Sequence, residues 1–187
     1  MVKENYFSFF CQILKKSVKF FFTTKNIWGS IVVSSGTKWG KVGDYMFMGE
    51  YHHTIDDKGR IIIPSKIRYE LGEEFIITRG LDNCLFVYKK EAFESIISKY
   101  KDLPNTRDAR NFMRFFLSGA QNSSFDKQGR INIPLPLTAY AGLSKECVII
   151  GVDERLEIWS KDRWDNFVNE NEPNMTEIAD NLFAPKF

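Results

Sequence analysis

Cysteine and histidine are scarce in this chain of 187 residues, and neither is placed to hold a metal. Cys11, Cys84 and Cys147 lie far apart with no Cys-x-x-Cys pair, so the spacing argues against both a disulfide framework and a zinc site. Cys84 and Cys147 sit in apolar runs, as buried thiols in a reducing cytoplasm do. His52 and His53 are neighbours. Adjacent residues on a strand point to opposite faces, and no third ligand clusters with this pair. No apolar run approaches the roughly 20 residues of a membrane-spanning helix. Gly-x-Ser-x-Gly, a phosphate loop and a nucleophile with a paired base are all missing, so neither catalysis, a cofactor nor a small-molecule substrate is expected. A dominant charge is missing too, since the formal net charge is only +2. Bulk electrostatics therefore do not announce nucleic-acid binding, which has to rest on local cations and multiplicity.

The small net charge hides an uneven distribution. Residues 1–45 carry +5, the stretch from Asp165 onward carries −4, and 46–164 are left near +1. Residues 1–34 are half Phe, Tyr, Ile, Asn and Lys, a bias that translated AT-rich non-coding DNA produces. Lysines break every apolar run there, which makes a poor signal peptide and a poor anchor. The expectation is an N-terminal extension over 1–45 from a mis-assigned start, with the natural start at Met46 or Met48.

What is present is a repeat. Asp56-Asp57-Lys58-Gly59-Arg60-Ile61-Ile62-Ile63-Pro64 returns seventy residues later as Asp126-Lys127-Gln128-Gly129-Arg130-Ile131-Asn132-Ile133-Pro134. Each copy reads as a strand, a tight turn and a second strand. Gly59 and Gly129 supply the positive φ of the turn, Asp56 and Asp126 close it on the backbone, and Arg60 and Arg130 are expected to project outward at the tip. Beyond the motif Gly72 matches Gly142, and after a one-residue slip Gly80-Leu81-Asp82 matches Gly151-Val152-Asp153. Leu85, Val87, Tyr88 and Phe93 then match Leu156, Ile158, Trp159 and Trp164. A proline-initiated helix to Leu71, strands at Phe75 to Thr78 and Cys84 to Tyr88, and a helix on the spacing of Phe93, Ile96, Ile97 and Tyr100 complete the first copy. Trp159 and Trp164, at a strand end and a helix start, are read as core.

The reading divides the chain into the extension at 1–45, a first unit at 46–104, a connecting helix at 105–120, a second unit at 121–164 and an acidic C-terminal segment at 165–187. In the connecting helix Arg107, Arg110 and Arg114 line a face apart from Phe112, Phe115 and Phe116, expected to be a solvated face, with a phosphate or subunit contact as the alternative. Four short strands per unit leave edges that need covering, so the two units are expected to pair into a pseudo-two-fold body.

Both copies resemble the SpoVT-AbrB, or swapped-hairpin, domain. The tandem Asp-x-x-Gly-Arg-x-x-x-Pro pattern, preceded by Met46-Phe47-Met48-Gly49-Glu50-Tyr51, resembles the MraZ family over roughly residues 46 to 170. The resemblance implies an α+β fold of tandem AbrB-like β-barrel units with short helices, pseudo-two-fold duplicated. It also implies a cytoplasmic, nucleoid-associated regulator that assembles into a ring-like homo-oligomer on double-stranded DNA. Such a regulator represses the promoter of the division and cell-wall gene cluster, its own gene included. Carried over residue by residue, DNA contact falls to Arg60 and Arg130, with Lys58, Lys127 and Arg68 as helpers and Asp56, Gly59, Asp126 and Gly129 forming the turns. The copies depart from each other at Lys58, which has Gln128 as counterpart, and at Arg68, which has Thr138, so unequal contributions are expected.

That family's operator consists of TGGG-containing repeats upstream of the start. With suitable codons, AGT at Ser35 and GTG at Val42 among them, residues 35–43 back-translate to three TGGG elements ten bases apart, of which Trp39-Gly40 forces the middle one. About one turn of B-DNA separates them, so they would face the same side of the duplex. The rival from another class is an oligomeric scaffold or antitoxin-like module with the acidic C-terminal segment as its protein ligand; the preferred expectation for that segment is a helix end followed by a disordered solubilising tail.

Overall fold

A computed structural model describes residues 46–183. The extension at 1–45 with its back-translated repeats, and residues 184–187 of the acidic tail, lie outside the described residues.

The first unit runs β1 (Phe47–Thr54), β2 (Arg60–Ile62), α1 (Ser65–Leu71), β3 (Glu74–Arg79), β4 (Leu85–Lys89) and α2 (Lys90–Lys101). After α3 (Arg107–Gly119), the second repeats the order as β5 (Gln121–Ser124), β6 (Arg130–Asn132), α4 (Leu135–Ala141), β7 (Glu146–Asp153), β8 (Arg155–Ser160) and α5 (Lys161–Asn171). A short 3-10 turn and α6 (Met175–Phe183) follow, so the acidic segment expected to be a disordered tail is helical over these residues. Local chemistry accounts for the helix ends. Pro64 and Pro134 stand immediately before α1 and α4, and Gly72 (φ 85°) and Gly142 (φ 61°) close them where positive φ frees the chain to turn away. The Thr106 hydroxyl accepts the Ala109 N–H at 3.2 Å and caps α3.

Strand pairing carries the architecture. One sheet has six strands in the order β1-β7-β8-β4-β3-β5, and a second has two, β2-β6; every pair is antiparallel. Exchanging the two copies leaves that order unchanged, so a pseudo-two-fold axis passes between β4 and β8 and between β2 and β6. Each unit's first strand lies beside the other unit's third strand. Only the isolated Ile55–Ile61 bridge joins β1 to β2, so the expected return strand pairs with its duplicate rather than with the strand it leaves. This is swapped-hairpin pairing within one chain, a mixed fold of two tandem units. Chain connectivity through the ribbon links both edges of the six-stranded sheet.

Register corrects one matching. Thr54 pairs with Glu146 and its equivalent Ser124 with Glu74, so Arg79, not Gly80, is the counterpart of Gly151. Gly80 lies in the β3-β4 loop, whereas Gly151 lies inside β7 opposite Gly49, where a Cβ would collide with the Met48 backbone nitrogen. The two glycines were alike in type alone.

The sheet is buried on both faces at its centre. Phe75, Ile77, Leu85, Val87, Ile149, Leu156 and Ile158 pack with Ile61, Ile131 and residues of α1 and α4 on one side. Ile76, Phe86, Tyr88, Val148 and Trp159 pack with Phe93 and Phe116 on the other. Trp159 is buried and Trp164 half-buried against it, as core aromatics. Phe112 and Phe116 stack on α3, but Phe115 turns away to meet Tyr140 edge-on. Arg107, Arg110 and Arg114 are exposed, and Arg110 and Arg114 bond to Asn105 and Asn111 nearby.

Candidate nucleic-acid interface

The two turns have the same internal geometry. Asp56 Oδ1 accepts the backbone N–H of Lys58 (3.0 Å) and of Arg60 (2.9 Å), while its Oδ2 accepts Arg60 Nε at 2.7 Å. Asp126 does the same for Gln128 (2.8 Å) and Arg130 (2.9 Å), with Arg130 Nε at 2.7 Å. Gly59 (φ 74°) and Gly129 (φ 73°) take the left-handed position that lets each turn close. The arginines therefore fold back onto the carboxylates of their own turns and are half-buried, rather than standing at the tips. Asp57, Lys58, Lys127 and Gln128 occupy the exposed tips. The Arg60 hydrogen bond is the main reason the Asp56 carboxyl is held down at about 2, with the backbone donors adding to it. Asp126 is lowered as well, first by the Arg130 N–H. Each carboxylate uses one oxygen to shape the backbone and the other to fix a guanidinium, an arrangement that costs little further order on binding.

The β2-β6 ribbon brings the two turns together. Gly59 O accepts from Ile133 N at 2.8 Å and Gly129 O from Ile63 N at 3.2 Å, so each motif's glycine clasps the other motif. The register is Arg60 opposite Asn132, Ile61 opposite Ile131 and Ile62 opposite Arg130. Ile61 and Ile131 face the core, being 0% and 1% exposed. Alternation then puts Arg60, Ile62, Arg130 and Asn132 together on the outer face. Asp126 also adds to the raised basicity of Arg60, after its own Asp56.

Sequence reasoning named the two arginines but missed Asn132 and Ile62. Both are exposed, and Ile62 is an apolar side chain that the core does not use. The signal was there: the buried Ile61 and Ile63 bracket Ile62, and Asn132 replaces the apolar residue at the same place in the second copy.

The two ends of the ribbon differ. Gly129 is buried beneath the Arg68 guanidinium, which lies in the space that a Cβ on Gly129 would occupy. Arg68, carried by α1, is thereby placed at the second turn and not its own. Its counterpart Thr138 instead donates to the carbonyls of Ile133 (3.3 Å) or Pro134 (3.2 Å) within its own segment. Above Gly59 a cleft of about 720 Å³ remains, lined by Asp56, Lys58, Thr138, Ser144 and Lys145 among others. A second substitution adds to the asymmetry, since Phe125 packs on Phe75 at 4.8 Å where the first copy has the smaller Ile55.

Elsewhere the chemistry is quiet. His52 is exposed with Nε2 3.0 Å from Glu50, and burial, followed by the neighbouring His52, lowers the basicity of His53. Among the described residues no cluster of His, Cys, Asp and Glu is arranged for a metal, and no helix is long and apolar enough to cross a membrane. Cys84 and Cys147 are free and buried; burial raises the Cys84 thiol strongly and pushes Cys147 up to about 11, so neither is a ready thiolate.

The in-chain strand exchange and the paired Asp–Arg turns define a tandem swapped-hairpin protein. A family model described as "MraZ protein, putative antitoxin-like" matches residues 46–115 and again 116–185. The chain belongs to the MraZ family, and membership supports a regulatory, DNA-binding role in general terms.

Proposed function

We propose that this protein is a sequence-specific DNA-binding transcriptional regulator that inserts the β2-β6 ribbon into a major groove. It would repress the division and cell-wall gene promoter, its own gene included, by occupying phased TGGG repeats. The observation that carries the reading is the ribbon's outer face, with two arginines oriented by carboxylates beside an exposed asparagine and isoleucine. A two-stranded ribbon fits the major groove, and arginine reads guanine O6 and N7 there at about 1–3 kcal/mol against a wrong base. Asn132 suits adenine and Ile62 a thymine methyl by the same code. Lys58 and Lys127, exposed at the tips, suit the flanking phosphates.

One ribbon makes few contacts, so tight binding calls for several copies on repeats about one helical turn apart. A ring-like homo-oligomer supplies them. Its support here is the apolar side of α6, where Met175, Ile178, Leu182 and Phe183 are exposed. The same residues would serve a protein partner in the scaffold reading, so the deciding variant is Arg60→Ala with Arg130→Ala in the full chain. Loss of binding to a duplex with TGGG repeats ten base pairs apart, with the oligomer intact by mass photometry, establishes the regulator. Binding unchanged by those substitutions, or equal on a duplex with every TGGG scrambled, rejects sequence-specific recognition by the ribbon.

A further inference from the structure

We propose that the cleft beside Gly59 binds a small guanidino carboxylate, with free arginine as the probe, and that its occupant competes with DNA at the first end of the ribbon. The site stands on the cleft itself, and only the competition rests on the DNA-binding reading above. The chain carries its own template for the ligand. At the second turn the Arg68 guanidinium lies on Gly129, and the Phe125 ring packs on Phe75. The first turn has the same carboxylate-closed backbone, but Thr138 and Ile55 stand at those two places. Two smaller side chains accompany a cleft of about 720 Å³, a size that suits a small molecule. Gly59 is only half-buried there, whereas Gly129 is buried.

The lining selects the ligand. Ile55, Ile133 and Leu143 are buried and give the cleft an apolar floor that suits a short methylene stem. Around it stand the exposed Asp57, Lys58 and Lys145. Asp56 is committed to Arg60 and the turn backbone, which leaves Asp57 as the carboxylate open to a ligand. The second turn has Lys127 in its place, so a guanidinium beside Gly59 meets an anion that the filled end lacks. Guanidinium and carboxylate pair through two parallel N–H donors. Two lysines at the same cleft repel a ligand that is only a cation and call for an anion on the same molecule. A guanidinium and a carboxylate joined by a methylene chain meet all three demands. Lys58 is also the cation that the first turn offers to a flanking phosphate, so a carboxylate held there excludes that contact.

The test is isothermal titration calorimetry of the full chain with L-arginine, citrulline and agmatine at matched ionic strength. Arginine is expected to bind once per chain. Citrulline has a neutral urea in place of the guanidinium and agmatine lacks the carboxylate, so each binds at least about tenfold more weakly. Asp57→Asn weakens arginine by a similar factor, and Thr138→Arg abolishes its binding by filling the cleft as Arg68 fills the other end. Lys127→Met, at the second turn, changes nothing. By fluorescence anisotropy with the TGGG duplex, saturating arginine lowers the DNA affinity of the unaltered chain more than lysine at equal ionic strength does. Linkage then requires DNA to lower the arginine affinity by the same factor. No saturable arginine binding at millimolar concentration overturns the inference, as does binding retained by a folded Thr138→Arg chain or equal binding of citrulline. Should Thr138→Arg misfold, the exposed Asp57→Asn decides, and unchanged affinity there is the overturning result. Arginine binding with no effect on DNA affinity overturns the competition alone. A chain that binds arginine but neither the TGGG nor the scrambled duplex removes the DNA reading and keeps the site.

Discussion

Asp56 and Asp126 each hold a turn and an arginine at once, and replacing either separates those tasks. Asp126→Asn keeps an oxygen for the backbone donors but weakens the charge-assisted bond to Arg130 Nε. A modest fall in melting temperature and a larger fall in DNA affinity are therefore expected, by scanning calorimetry and fluorescence anisotropy; equal losses would mean that the carboxylate serves the turn alone. The pH dependence follows from the direction of the shift. Asp56 falls from an ordinary 3.8 to about 2 in the folded chain, so its stabilisation is complete above about pH 4 and is lost as pH drops through 3.8 toward 2. Carboxyl NMR titration should find Asp56 and Asp126 below the ordinary value, with no step attributable to them between pH 5 and 8. Glycine supplies a third case. Gly72 has open space for a methyl group but sits at φ 85° and ψ −178°, a region that glycine alone adopts readily, so Gly72→Ala is expected to cost about 1–3 kcal/mol in urea unfolding through backbone strain alone.

At the level of elements, the ribbon is anchored by a single layer of side chains. Ile61 and Ile131 pair across it and are fully buried, so Ile61→Ala or Ile131→Ala is expected to cost about 2–5 kcal/mol in chemical denaturation and to loosen both arginines together. The long helix α3 is tied to the sheet by the buried Thr78 hydroxyl, which donates to the Phe116 carbonyl at 2.6 Å. The elements themselves were largely legible. Proline before and glycine after α1 and α4, the alternation of Ile61, Ile62 and Ile63, and the aromatic spacing on α3 all act over three or four residues. What was not legible was where the arginines point. Each guanidinium had two options, solvent or the carboxylate four residues back, and only the closed turn geometry brings Oδ2 within 2.7 Å.

The whole molecule depends on exchange between its halves. β1 has its ladder partner in β7 and β5 in β3, so neither half contains the sheet it belongs to. Residues 46–119 or 120–183 expressed alone are therefore expected to be unfolded or to self-associate, and mixing them should restore a folded complex by circular dichroism and gel filtration. A stable monomeric half would contradict the interleaved core.

From the sequence alone came the duplication, the turn chemistry and the helix ends, because these depend on spacing and backbone preference within a few positions. Tertiary structure alone decided that β2 meets β6, that Asn132 stands beside Arg60, and that Arg68 covers Gly129 while a cleft lies beside Gly59 and Thr138. Strand partners are chosen by burying both apolar faces at once, a condition set by residues some seventy positions apart that no local pattern contains.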